Sequence, residues 1–485
     1  NYTVGVGYQV FEYLTTGDNN TAVGSQAMNR VTTGHSNTAF GSNALMYTQT
    51  ALYNTAVGYK SMGNEAVTGN SNTSVGYFAL RHLTSGAGNV AIGDQALLNC
   101  STGGTNTAVG FNTLLSLTTG SNNTCVGDRA GDAITTAEEN VAIGKSSLGA
   151  CTTGGKNVAV GKDSLKSSTT GTRNVAVGSS ALQSATTAND NTAVGEQAGY
   201  ATTTGDENTF VGIYAGLDNT TGSHNTSLGK NALKDNTTAD NNTAVGMSAL
   251  VTNTTGSSNT AVGYFALLSN TTGNYNTAVG TEAGKTQTTG QDNTFIGYKS
   301  GYSNTGDDNT FVGKEAGLSN TSGARNTFVG KDAGHATTTG TDNTAIGLDA
   351  GDSITSGTQN ITIGNNAGAA LTAQSWNVYI GKDCGDSSTG YGNIGIGHDA
   401  GRTHSGSYNT VVGKAAGSTI SGEGNLVLGY NAAPSSASVD NEITLGNANI
   451  TKFRIPGLSF TIDSTDISAA NNILPSANNS KNLGS

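Results

Sequence analysis

The stretch Asn276-Thr277-Ala278-Val279-Gly280 decides the reading of the chain, because most of the sequence is a copy of it or the spacer between two copies. The same five positions recur at residues 20–24, 106–110, 191–195, 259–263 and 326–330. With the closing glycine as a marker, Gly93, Gly110, Gly127, Gly144, Gly161, Gly178 and Gly195 lie 17 residues apart, and about 27 such glycines run from Gly7 to Gly446. A fixed short period marks a solenoid, in which each repeat is one coil and touches only its neighbours. The predicted fold is therefore all-β: a parallel β-roll, or β-solenoid, of about 27 short coils, with a period of 17 that falls to 16 between Gly381 and Gly429. At about 4.8 Å per coil such a stack would be roughly 130 Å long.

Each column of the repeat carries its own expectation. Thr277-Ala278-Val279 alternates β-branched and small residues, the pattern of a short strand with two different faces. The Val279 column is aliphatic almost throughout (Val23, Val57, Ile92, Ile143, Leu228, Ile346) and reads as core, with a second strand expected after the glycine. Three residues past the glycine stands Ala or Ser, so space there is tight. One residue further stands Leu or Met in early coils and Gly in later ones. Where Phe or Tyr replaces the central alanine, at Phe210, Phe295, Phe311, Phe328 and Tyr379, that later column holds Gly216, Gly301, Gly317, Gly334 and Gly385. This is volume compensation, and it predicts that the two columns touch. The Thr-Thr-Gly spacers are turns. The Asn that opens each coil is expected to adopt a left-handed conformation and to stack into a hydrogen-bonded ladder.

Composition narrows the class. Gly is 70 of 485 residues, Pro only 3, and charged residues 11%, which is neither collagen-like nor the make-up of a charged disordered chain. A net charge of −11 provides no basic stripe for phosphates, and no apolar run approaches a membrane span, so neither nucleic acid nor membrane insertion is expected. Val6-Gly7 is already in register with Val23-Gly24, so neither a signal peptide nor a true N-terminus is visible. Cys100, Cys125, Cys151 and Cys384 read as unpaired small residues: Cys100 and Cys151 share a column but lie three coils apart, too far for a disulfide. Residues 1–446 form the repeat domain. Residues 447–485 form a separate C-terminal segment, with two strands expected around Pro456-Gly457.

A coil that buries a Val, an Ala and part of a Leu has little to set against the entropy of ordering 17 residues, so a second source of burial is expected, namely an oligomer of solenoids. The Asn-Thr-Ala-Val-Gly, Asn-Val-Ala-Val-Gly (157–161) and Ser-Val-Gly (74–76) strings resemble the head repeats of trimeric autotransporter adhesins, which form left-handed parallel β-roll trimers. The period here is longer than that family's usual coil. The run 440–446 and the tail 473–485 are similar to segments of bacteriophage tail fibres that precede a self-cleaving intramolecular chaperone domain, a domain this sequence lacks. The resemblance implies a parallel homotrimer, placed on a virion or at a cell surface.

Candidate chemistry is sparse. Among six histidines, His398 is the candidate metal ligand, because three copies would converge if its face turned inward. Tyr59, Tyr77, Phe78, Tyr264, Phe265 and Tyr298, just past the marker glycines, are candidate sugar-stacking platforms or seals of an oligomer interface. No catalytic residues and no cofactor are predicted. The preferred function is a structural and adhesive trimeric fibre, the shaft of a phage tail fibre with virion or tail proteins and host-surface glycan as partners. The alternatives are the passenger of a bacterial surface adhesin, a glycan-cleaving tailspike and an ice-binding solenoid.

Overall fold

In the computed structural model of the protein the described residues are 2–455, 460–463 and 467–469. They are all-β, with no helix among them, and they wind as a parallel β-solenoid of about 26 turns over two compact units, Asn1–Lys314 and Glu315–Ser485. Each coil of the solenoid contributes a strand of three residues, such as Val158–Val160, paired in parallel with Val141–Ile143 and Val175–Val177 one period away. In the first unit these strands run from Val4–Val6 to Thr310–Val312, and in the second from Thr327–Val329 to Ile443–Leu445. The rest of the coil is turn. The expected second strand is absent from nearly every described coil; it forms only as the Thr403–His404 and Thr419–Ile420 pair, where the period is 16. Past the solenoid, Lys452–Ile455, Phe460–Asp463 and Ile467–Ala469 make an antiparallel sheet. The expected turn at Pro456-Gly457 and the tail 473–485 lie outside the described residues.

The strand is inside out relative to the sequence reading. Its central residue is buried (Ala142, Ala159 and Ala278 are all at 0%), whereas Ile143, Val279 and Ile346 of the supposed core column are 40%, 38% and 37% exposed. Successive side chains of a strand point to opposite faces, so with Ala inward both flanking residues must face out. The interior comprises the Ala column, the Ala/Ser and Leu columns after the glycine, and a further column that includes Leu117, Ile134, Cys151 and Ile354.

Volume compensation is present as expected. A methyl group placed on Gly216 would lie 2.5 Å from the Phe210 ring, one on Gly334 2.5 Å from Phe328, and one on Gly385 2.6 Å from Tyr379. The rings also reach back one coil: Gly199 and Gly284, whose own strands carry alanine, face Phe210 and Phe295 at 2.6 and 2.7 Å. The marker glycine is needed for another reason. Gly144 has φ +133° and its missing Cβ would stand 2.5 Å from the Gly161 carbonyl oxygen, so the coils could not close to strand spacing around a side chain.

Three left-handed residues recur in each typical coil, for example Lys156, Asp163 and Leu165 at φ 63°, 57° and 47°. None is the ladder asparagine; the left-handed position is the residue before it. Each left-handed residue costs about 1 kcal/mol. Each also aims its N–H at a neighbouring coil, Lys156 at Glu138 O, Asp163 at Lys145 O and Leu165 at Ala181 O, all at 3.0 Å. The asparagine itself is fully buried and does form the expected ladder. Asn157 Nδ2 donates to Asn140 Oδ1 (3.2 Å) and to Gly171 O (2.8 Å), while its own Oδ1 accepts from the N–H and Nδ2 of Asn174 (3.0 and 3.2 Å). A second buried ladder, Asn219-Asn236-Asn253-Asn270, joins side chains at 2.7–3.0 Å. The main ladder reaches Glu442, whose N–H donates to Asn425 Oδ1 but whose carboxylate turns to Ser435 and Thr444.

Two stability tests follow from this packing. Asn157→Ala strands a buried carbonyl and a buried N–H and is expected to cost about 3–5 kcal/mol, whereas Thr169→Val, which removes a half-exposed hydroxyl bonded to Thr186 O at 3.1 Å, should cost below about 1 kcal/mol in denaturant titration. Phe210→Ala is expected to cost about 3 kcal/mol. Adding Gly216→Leu, a residue that this left-handed column accepts at Leu233 (φ 50°), should recover part of it, and strictly additive losses in the double mutant would show that the columns are energetically independent.

Candidate functional site

With the strand reversed, the third strand residue, aliphatic in every described coil but that of Phe40, makes a stripe on the outer face of each unit, beside a first strand residue that is Thr in most coils and Val, Ile or Leu in the others. Val75, Ile92, Ile143, Val194, Leu228, Val279 and Ile296 in the first unit, and Ile346, Ile361, Ile394 and Ile396 in the second, are 36–48% exposed. Aliphatic residues that recur coil after coil, exposed in about half of the coils and half-buried in the rest, exceed the scattered apolar side chains normal on a monomer. Two charged or aromatic columns border the stripe. One is the residue after the marker glycine, including Tyr59, Tyr77, Lys145, Lys162, Tyr264 and Tyr298. The other is the left-handed residue before the ladder asparagine, including Tyr53, Glu139, Lys156, Arg173 and Tyr275.

The six aromatic candidates gather into two patches of the first unit. Tyr59 and Tyr77 stack at 5.7 Å and Tyr77 lies 3.9 Å from Phe78, with the Arg81 guanidinium 4.3 Å over the Phe78 ring. Tyr264 stacks on Phe265 at 3.8 Å. Lys285 sits 5.3 Å from both Phe265 and Tyr302, and Lys299 is 5.3 Å from Tyr298 and 5.6 Å from Tyr302. Glu282 holds both lysines, at 2.7 and 3.7 Å, and the Lys285 hydrogen bond draws its carboxyl below the usual range. These rings prop one another and cover lysines, so the free π-faces are fewer than six rings suggest. Arg81, Lys285, Lys299 and Tyr302 were not singled out by sequence; for Arg81 and Lys299 the sign was a cation three residues from Phe78 and Tyr302, whereas Lys285 reaches Phe265 and Tyr302 from adjacent coils.

His398 is partly exposed, with Nδ1 2.7 Å from Asp399 Oδ2, and Asp383 is close enough to share an ion. Glu315, Asp332 and His335 converge in the same way, beside Asp349 and Asp352. Both groups are already served by cations: Arg402 lies 3.7 Å from Asp399, Lys382 3.5 Å from Asp383 and Lys331 2.6 Å from Asp332. Their arrangement is that of surface ion-pair clusters. No family model and no curated protein matches this chain. Among the described residues no helix is long and apolar enough to cross a membrane.

The four cysteines are buried and unpaired, as expected. Burial pushes the thiols up, to about 12 for Cys100 and Cys384 and about 11 for Cys151, which makes them inert. His404, not a sequence candidate, is fully buried in the interior position that Ser388 and Ile420 fill in the adjacent coils and Leu371 two coils earlier. Its Nε2 meets Gly417 O at 3.0 Å, its Nδ1 has no partner, and burial holds it down at about 4. Above the unfolded value of 6.5 the ring is neutral in both states. As pH falls from 6.5 toward about 4, only the unfolded chain takes up the proton, and stability drops by about 3 kcal/mol in all. Chemical unfolding of the second unit followed across that window should show this slope, and His404→Leu should flatten it.

Proposed function

We propose that this chain is the shaft of a parallel homotrimeric fibre that mediates or supports attachment to a host surface, as in a phage tail fibre on a virion. The observation that carries the reading is the outward apolar stripe. A partner that covers it must present apolar groups at the same rise per coil over many coils, and a further copy of the same chain has that spacing by construction. Copies wound in parallel keep stripe on stripe along each unit. The resemblance to trimeric adhesin heads selects three copies; the similarity of residues 440–446 to tail-fibre segments favours a virion over a cell surface. Columns that repeat from coil to coil suit a stiff spacer better than a tailspike enzyme, whose site would need residues unlike their counterparts in neighbouring coils. Any glycan contact would be shallow and repeated from coil to coil, gaining strength by valency.

Solution mass by light scattering tests this directly: the expected value is three times the 48.6 kDa chain. Ile143→Asp combined with Val160→Asp, both on the outward face, should reduce the mass toward that of one chain while far-UV circular dichroism stays unchanged. A wild-type chain that remains a folded monomer at micromolar concentration would defeat the proposal.

A further inference from the structure

The flanks of the stripe carry information about how neighbouring copies are aligned, which rests on the parallel-oligomer reading above. In any ring of parallel copies about an axis along the solenoid, one flank of each stripe abuts the opposite flank of the next copy, so the column after the glycine meets the left-handed column before the asparagine. Along the stretch of the first unit closed by Gly127 to Gly229, the first column reads Asp128, Lys145, Lys162, Ser179, Glu196, Ile213, Lys230. The second, in the same coils, reads Asn122, Glu139, Lys156, Arg173, Asp190, Glu207, His224. The charged members of both columns are exposed except the half-buried Asp128, and within one chain they pair along their own columns, Lys145 with Asp128 at 3.4 Å, Lys156 with Glu139 at 3.9 Å and Arg173 with Asp190 at 2.5 Å, so a neighbouring copy meets pairs that must share their charges across the seam.

Three alignments can be compared. If each coil faces the same coil of its neighbour, Lys145 meets Glu139, but Lys162 meets Lys156 and Glu196 meets Asp190. If each coil faces the next one toward the C-terminus, Asp128 meets Glu139, Lys145 meets Lys156, Lys162 meets Arg173 and Glu196 meets Glu207, all like charges. If each coil faces the previous one, Lys162 meets Glu139, Glu196 meets Arg173 and Lys230 meets Glu207, and no like charges meet in this stretch. The last alignment also sets Tyr77 against Tyr53 and Tyr298 against Tyr275, four rings that are 44–64% exposed in the single chain. Farther along, Lys314 meets an acid, Asp308 or Asp292, in the unshifted and the backward alignment and Arg325 in the forward one, so it does not discriminate between the first two. Like charges brought together across a seam are costly, and opposite ones fix register more than they add affinity.

We infer that copies of this chain pack side by side with a shift of one coil, the residue after each marker glycine seated against the left-handed residue one coil earlier in its neighbour. Strands that slope around the common axis give this shift under pure rotational symmetry. The seam then incorporates Tyr59, Tyr77, Tyr264 and Tyr298, so these rings close the interface instead of standing free.

The test uses the full chain with paired cysteines, against a background of native thiols that are buried and unreactive. Under mild oxidation Glu139→Cys with Lys162→Cys should give interchain disulfides on a non-reducing gel, at least tenfold faster than Glu139→Cys with Lys145→Cys, which reports the unshifted alignment. Equal or faster linking of the unshifted pair overturns the shift. So does failure of every pair to link in a chain whose solution mass is still that of an oligomer, because the flanks then do not meet. A monomeric mass for the wild-type chain instead defeats the oligomer reading itself, so the two failures are told apart.

Discussion

The whole solenoid depends on one buried amide per coil. A chain that turns back every few residues leaves backbone N–H and C=O groups in its interior with no helix or wide sheet to use them, and such groups cannot be left unpaired. The ladder asparagine supplies both a donor and an acceptor at that point. Asn157 bonds Gly171 O in the next coil and offers its oxygen to Asn174 N, so each copy completes the coil above and is completed from below. That requirement fixes the spacing of the coils, and the spacing in turn fixes the glycines whose missing side chains let one carbonyl pass beneath another. It also sets what can be tolerated: three left-handed residues in a coil are acceptable because their N–H groups are carried into the same cross-coil network.

Much of this was legible in the sequence because period and chemistry agree at almost every level. The fold class, the coil length, the asparagine ladder and the Phe-for-Leu exchange all come from columns that repeat. The polarity of the strand was misread, and the reason is instructive. Three residues alternate only once, so hydrophobicity favours the valine column as core. The exchange between Phe210 and Gly216 carries the opposite message, since a position that trades volume with a known interior column must itself face inward. Packing evidence outranks hydropathy where a strand is this short. The second strand failed for a related reason: residues with left-handed backbones, such as Asp163 and Leu165, cannot lie in an extended run.

The candidate surface was legible only in pieces. Sequence picked out aromatic residues after the glycine but not the cations that cover them, because Lys285 meets Phe265 and Tyr302 only through the winding of the coil. The apolar stripe was hidden by the same inversion that placed valine inside. Once the strand is turned over, the residues that had been assigned to stability become those available to a partner, and the thin interior and the exposed stripe are two sides of one allocation of apolar area.

The end of the ladder has its own meaning. Glu442 occupies the place of the next asparagine and gives its backbone N–H to Asn425, but its carboxylate has no N–H for a carbonyl of a further coil, and its oxygens accept from Ser435 and Thr444 instead of from a further ladder residue. Winding can be received there and not transmitted. A single change of functional group, amide to acid, therefore writes a stop signal into the repeat, and the chain beyond it adopts a different, antiparallel pairing from Lys452 onward.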